Sequence, residues 1–178
     1  MLRRSSKTDH KQRRNGPPRL LVVEDDADVA RLLGKLFRRA GYEVAEVGDH
    51  QVAMVTLANE PEPIDAVVAS FSGGGSSSCL KLLDAIRNSH NPVICKTRVV
   101  MVIDNPRQQM FSWQSGADDI LTRPYHAVQL VQSVELALKR QDQERGEYRR
   151  ERIDAVKNAV VRDGRLVDAA VTGPVQFS

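Results

Sequence analysis

Four polar positions follow directly on apolar runs. Glu24 and Asp25 come after Leu20–Val23, Ser70 after Ala66–Ala69, Asp104 after Val99–Ile103, and Thr122-Arg123-Pro124 after Asp119–Leu121. If those runs are neighbouring strands of one sheet, three carboxylates, two hydroxyls and a guanidinium meet at one edge. Such a set could serve nucleophilic or acid–base chemistry only if a base stood beside the serine, whose hydroxyl is otherwise a poor nucleophile. The sequence shows no such base. No His accompanies a Ser in motif form and no GxSxG occurs. His50, His90 and His126 fall in predicted loops or at helix starts. A binding module is therefore expected in preference to an enzyme.

The intervening segments explain how these positions could converge. Leu20–Val23 reads as a strand buried on both faces. Asp26 or Asp28 can cap the helix that follows, Val29, Leu32, Leu33, Leu36 and Phe37 form its apolar face, and Gly41 stops it. Tyr42–Val47, Ala66–Ala69, Val99–Ile103 and Asp119–Leu121 supply four more strands, alternating with helical segments around Val52–Leu57, Leu80–Ile86, Pro106–Ser115 and from His126 onward. Strands alternating with helices imply crossover connections and a parallel sheet. The expected fold is a flavodoxin-like, doubly wound α/β sheet of five parallel strands. In such sheets sites form outside the carboxyl ends of the strands, where the four polar positions fall.

The order and spacing of two motifs carry a resemblance. Leu21-Val22-Val23-Glu24-Asp25-Asp26 near the start and Gly116-Ala117-Asp118-Asp119-Ile120-Leu121-Thr122-Arg123-Pro124-Tyr125 near the end resemble the receiver domain of bacterial two-component response regulators. The resemblance covers about residues 19–140. It implies transfer of a phosphoryl group from a histidine kinase to an aspartate at the end of the third strand. In the family an acidic cluster holds Mg²⁺, and a Thr or Ser after the fourth strand and a Lys after the fifth stabilise the phosphoryl oxygens. The Lys–Pro bond is usually cis.

This chain departs from that pattern in three places. Ser70 stands where the aspartate is expected, Ile103 where the Thr or Ser is expected, and Arg123 where the Lys is expected, ahead of Pro124. Arginine keeps the charge but not the shape of lysine. The resemblance thus implies a degenerate phosphorylation site: a pseudo-receiver lacking its phosphoacceptor. Glu24 and Asp25 would be at most a weak Mg²⁺ site. Their expected role is to cap a helix and bond a loop, with Arg123 pairing to one of them. No cofactor is expected. Ile120 occupies the position of the family's switch aromatic, and with Ile103 opposite it the pair is expected to pack as core. The family's partner face would here include Trp113, Ile120 and Tyr125, with Trp113 as a candidate surface anchor.

Charge is unevenly spread. The net +3 combines +6 in residues 1–19, −3 in residues 20–140 and zero in residues 141–178. Residues 1–18 read as a disordered basic arm, 19–140 as the receiver-like domain and 141–178 as a helical extension and tail. In the extension, Lys139–Arg152 is almost wholly polar, and apolar spacing resumes at Ile153, Val156, Val160 and Val161. A solvent-bridging helix reaching a partner fits this pattern. The expected function is a phosphorylation-independent signalling module acting by protein–protein contact, with another signalling protein as partner and a homodimer through the last helix as one arrangement. The alternative is a transcription-associated regulator that contacts nucleic acid through the basic arm. Aromatics are only 4%, which argues against a base-stacking surface. No apolar stretch reaches the length of a membrane span, and no apolar run follows the basic start as in a signal peptide. Cys79 and Cys95 have no metal-ligand spacing and read as reduced thiols. The expected compartment is the cytoplasm.

Overall fold

The computed structural model describes residues 16–70 and 76–162. The basic arm (residues 1–15), most of the Gly/Ser loop (71–75) and the tail from 163 onward lie outside the described residues.

Five parallel strands form one sheet: β1 (Arg19–Val23), β2 (Glu43–Val47), β3 (Ala66–Ala69), β4 (Arg98–Ile103) and β5 (Asp119–Thr122). Their order across the sheet is β2-β1-β3-β4-β5. The chain order therefore reverses between β1 and β3, and an open α/β sheet forms its site at such a switch point. The doubly wound fold expected from the alternation is present. Every residue of β3 and β4 is buried, which is why those segments read as continuous apolar runs.

Two apolar layers flank the sheet. On one side α1 (Ala27–Arg39) and α6 (Ala127–Lys139) cover Leu20, Val22, Val68, Val100 and Val102, using Leu33, Phe37, Leu130 and Val134. On the other, α2 (His50–Asn59), α3 (Ser76–Arg87), α4 (Pro92–Lys96) and α5 (Gln109–Gln114) help to cover Leu21, Val67, Val99, Met101 and Ile103. Asp26 caps α1, accepting from the Asp28 and Val29 amides. Gly41 ends that turn at φ +92°, a backbone conformation that disfavours a Cβ.

The extension departs from the expected bridging helix. The chain leaves α6 at Arg140, whose ψ of 130° is extended, and starts a separate helix, α7 (Asp142–Arg162). This helix folds back onto the domain. Tyr148, Ile153 and Val156 pack on the core layer that contains Trp113 and Ile120. The Tyr148 ring meets Trp113 edge-on with centroids 5.8 Å apart, and the Arg140 guanidinium lies 3.5 Å above the Tyr148 centroid. Among the described residues, no helix is long and apolar enough to cross a membrane. Cys79 is buried, Cys95 is half-buried, and neither is in a disulfide.

Candidate functional site

Ladder hydrogen bonds running one residue past the strands fix the backbone of three site residues. The Glu24 amide donates to Val47 O at 3.0 Å, Ser70 N to Val23 O at 2.9 Å, and Arg123 N to Ile103 O at 2.8 Å. The first two lie on either side of β1, so Glu24 and Ser70 leave adjacent strands side by side. The Arg123–Pro124 peptide is cis.

The side chains form a closed network. Ser70 Oγ donates to Glu24 Oε2 at 3.0 Å, and Arg123 Nη2 donates to Ser70 Oγ at 2.8 Å. The other Glu24 oxygen accepts from the Asp26 amide at 3.0 Å. Arg123 stands 3.7 Å from Glu24 Oε2 and pairs through Nη1 with Asp104 at 2.9 Å. Burial pushes the Tyr125 phenol above the usual range, while Arg123 and Ser70 pull it down. Glu24 and Ser70 are 1% and 0% exposed. The Ser70 hydroxyl, the Asp26 amide and the Arg123 guanidinium offset the cost of burying the Glu24 carboxylate.

Of the two expected partners of Arg123, Glu24 and Asp25, the structure places Glu24 beside it, and the shorter ion pair is with Asp104, a partner the sequence reading did not name. The adjacent pair itself is divided, since Glu24 is buried while Asp25 is exposed. A base does stand beside Ser70, contrary to the reading of the sequence, and it is Glu24. Neither residue has an open approach. The signal lay in the two residues following neighbouring strands, but adjacency of β1 and β3 is a property of the sheet order. Ile103 is buried in the core layer and Ile120 packs against it.

This arrangement does not fit the Mg²⁺ that the resemblance implies. Both Glu24 oxygens are engaged, and the Arg123 guanidinium already stands where a second cation would be repelled. Among the described residues, no group of three or more His, Cys, Asp or Glu is gathered so as to hold a metal ion.

The expected partner face needs a correction. Trp113 is 1% exposed, because α7 of the same chain lies over it. It is a core anchor for α7, not a surface anchor for a partner. Tyr125 is half-buried at the Ser70 network.

What holds α7 there is a polar hub absent from the sequence reading. Asp118 is 4% exposed. Its Oδ2 accepts from Arg87 Nη2 (2.7 Å), Val99 N (2.8 Å) and Arg145 Nη2 (3.0 Å). Its Oδ1 accepts from Arg145 Nε at 2.7 Å and lies 3.5 Å from Arg149 Nη2. Arg145 also donates to Lys96 O, and Arg149 to Ala117 O. The two α7 arginines thus tie the helix to α4 and to the start of β5. Burial lowers the Arg87 pKa to about 10, against the pull of Asp118. Arg145 goes the other way: burial opposes its charge, but Asp118 and Asp142 hold it raised.

Comparison with known proteins agrees with this architecture. The model of the response regulator receiver domain matches residues 20–135 and ends before α7. The DNA-binding response regulator MtrA of Mycobacterium tuberculosis is 26% identical over 162 residues, covering 89% of this chain and 67% of that protein. The transcriptional regulatory protein PrrA of the same species is 32% identical over 124 residues, 69% of this chain and 51% of that protein. The chain thus matches between half and two thirds of the length of these relatives. Among solved structures, the receiver domain of NtrX from Brucella abortus is 25% identical with a TM-score of 0.58, covering 68% of this chain and 99% of that one. Chemotaxis response regulator CheY4 of Vibrio cholerae, at 17% identity and a TM-score of 0.58, covering 68% of this chain and 98% of that one, shows the fold alone. Sheet order, site position and the match over residues 20–135 agree: the chain belongs to the response regulator receiver domain family of two-component signalling.

Proposed function

We propose that this receiver domain signals without phosphorylation, as a non-catalytic module that binds another signalling protein and needs no Mg²⁺. The observation that carries this reading is Ser70, fully buried at the end of β3 and bonded to Glu24 and Arg123. A serine there offers no carboxylate to accept a phosphoryl group, and Arg123 already fills the acidic pocket. A two-state switch needs differential ligand contacts in its two states, and the Ile103–Ile120 packing offers no polar contact that phosphate would change. We place the protein in the cytoplasm on the same reading. The Tyr148–Ile153–Val156 stripe of α7 packs on the chain's own core, which disfavours a homodimer through the last helix and supports a monomer.

The test is incubation with acetyl phosphate, and separately with beryllium fluoride and Mg²⁺. Intact mass and ¹⁹F NMR are expected to show no adduct and no bound fluoride. A stoichiometric adduct on any residue of the pocket would overturn the reading.

A second reading is favoured by the +6 charge of residues 1–19 and by relatives named as DNA-binding or transcriptional regulators. In it the basic arm contacts nucleic acid. Such binding would weaken steeply as salt is raised, since neutralised phosphates release counterions. Equal DNA affinity after deletion of residues 1–18 would rule this reading out.

A further inference from the structure

A cleft of about 260 Å³ opens between α4 and α7, on the outer side of the Asp118 hub. It is lined by Arg87, Lys96, Arg145 and Arg149, with Asp142 as the carboxylate on its wall. Asp118 lies beneath and Arg98 alongside. Arg98 is 9% exposed, and its Nε–H has no hydrogen-bond partner. Five cationic side chains therefore share two carboxylates. The surplus is energetically visible: burial lowers the pKa of Arg87, Arg98 and Arg149, and the neighbouring Arg145 lowers each further.

Several donors are left over. Arg149 gives only its Nε–H to a carbonyl, Ala117 O at 3.1 Å, and its Nη2 stands 3.5 Å from Asp118. Among the described residues its Nη1 meets no acceptor. Lys96 Nζ is 68% exposed and 3.9 Å from Asp142. Guanidinium and ammonium groups converging on a concave surface are the donors that a phosphate oxygen accepts best.

We propose that this cleft binds a small phosphate-class anion, held by Lys96 on one wall and Arg149 on the other, with Arg87 and Arg145 adding positive charge while their donors stay on Asp118 and the backbone, and that the anion clamps α7 to the core. The clamp follows from the placement of the donors. Arg87 and Lys96 belong to α3 and α4, while Arg145 and Arg149 belong to α7. An anion between them turns a like-charge repulsion across the helix boundary into a bridge. A ligand that binds only the docked form stabilises that form by mass action. This inference concerns a surface remote in sequence from Ser70 and does not depend on how the Ser70 pocket is read.

The experiment titrates the full chain with pyrophosphate, and separately with inorganic phosphate, in a phosphate-free buffer of low ionic strength. Calorimetry gives affinity and stoichiometry, and hydrogen exchange gives protection of α7. Lys96→Gln and Arg149→Gln are partly exposed changes that leave Asp118 and its Arg87 and Arg145 contacts in place. One site per chain is expected, weakened about tenfold by either variant, as fits loss of one charge-assisted contact. Exchange in α7 should slow with anion in the unaltered protein. Absence of saturable binding into the millimolar range, or affinity unchanged in both variants, would overturn the site. Binding without slower exchange in α7 would overturn the clamp, and duplex DNA binding that displaces pyrophosphate and is weakened by both Lys96→Gln and Arg149→Gln would overturn the small-anion assignment.

Discussion

Replacing Asp118 with Ala is expected to destabilise the protein by about 3–5 kcal/mol, the range for removing one partner of a buried ionic network. The change strips both carboxylate oxygens from three arginines and the acceptor from the Val99 amide. Arg87 and Arg145 are mostly buried, so their charge would be left uncompensated rather than returned to water. The loss falls on α7 first. Beyond the Tyr148, Ile153 and Val156 contacts, that helix is largely charged and exposed, and such a helix has little stability of its own. Hydrogen exchange should therefore show α7 opening at a lower free energy than the sheet, a sub-global unfolding step. Asp118→Asn keeps an acceptor for Val99 N and should lose less. Urea unfolding of both variants, followed by α7 exchange, checks the ranking. Equal stability of Ala variant and parent would show that the hub does not hold the helix.

This hub also marks where the sequence stops being legible. The strands were readable because burial on both faces forces unbroken apolar runs, as in Val99–Ile103. The site could be located because each run ends in a polar residue at the sheet edge, and the fold aligns those ends. The path of α7 was not readable for the opposite reason. Arg145 and Arg149 sit in a run of charges that looks like a solvated face, and nothing local tells a solvated arginine from one bonded to a carboxylate 27 residues earlier. The break at Arg140–Gln141 carries neither Gly nor Pro, so no helix-stop signal separates α6 from α7. Trp113 was misplaced with them, since its burial depends on the helix that covers it. The sequence places Glu24 and Ser70 each at the end of an apolar run, but their hydrogen bond appears only once β1 and β3 are known to be neighbours.

Placing the missing carboxylate back, as Ser70→Asp, is expected to cost stability without creating a phosphorylation site. The new carboxylate would enter a site with no solvent exposure, where Ser70 Oγ already lies 3.0 Å from Glu24 Oε2. The hydroxyl now donates to that oxygen, and a carboxylate cannot. One guanidinium, Arg123, would face Glu24, the new aspartate and Asp104. Two like charges at that distance in a buried site repel by more than one shared cation offsets, and a loss of about 2–3 kcal/mol follows from desolvating an unsatisfied charged acceptor. Mg²⁺ would relieve this only if Arg123 left the pocket, and its pairing with Asp104 and Glu24, joined by the new carboxylate, holds it there. The variant should therefore bind no beryllium fluoride in Mg²⁺. Adding Arg123→Lys removes the fork that spans the two acidic sides and leaves a compact ammonium, so the double variant should regain stability as Mg²⁺ is added. Adding Ile103→Thr supplies the hydroxyl donor that the end of β4 lacks, and ¹⁹F NMR of that triple variant should show bound fluoride. Fluoride binding by Ser70→Asp alone would mean that Arg123 does not close the pocket, and that the serine is the sole obstacle to phosphoryl transfer.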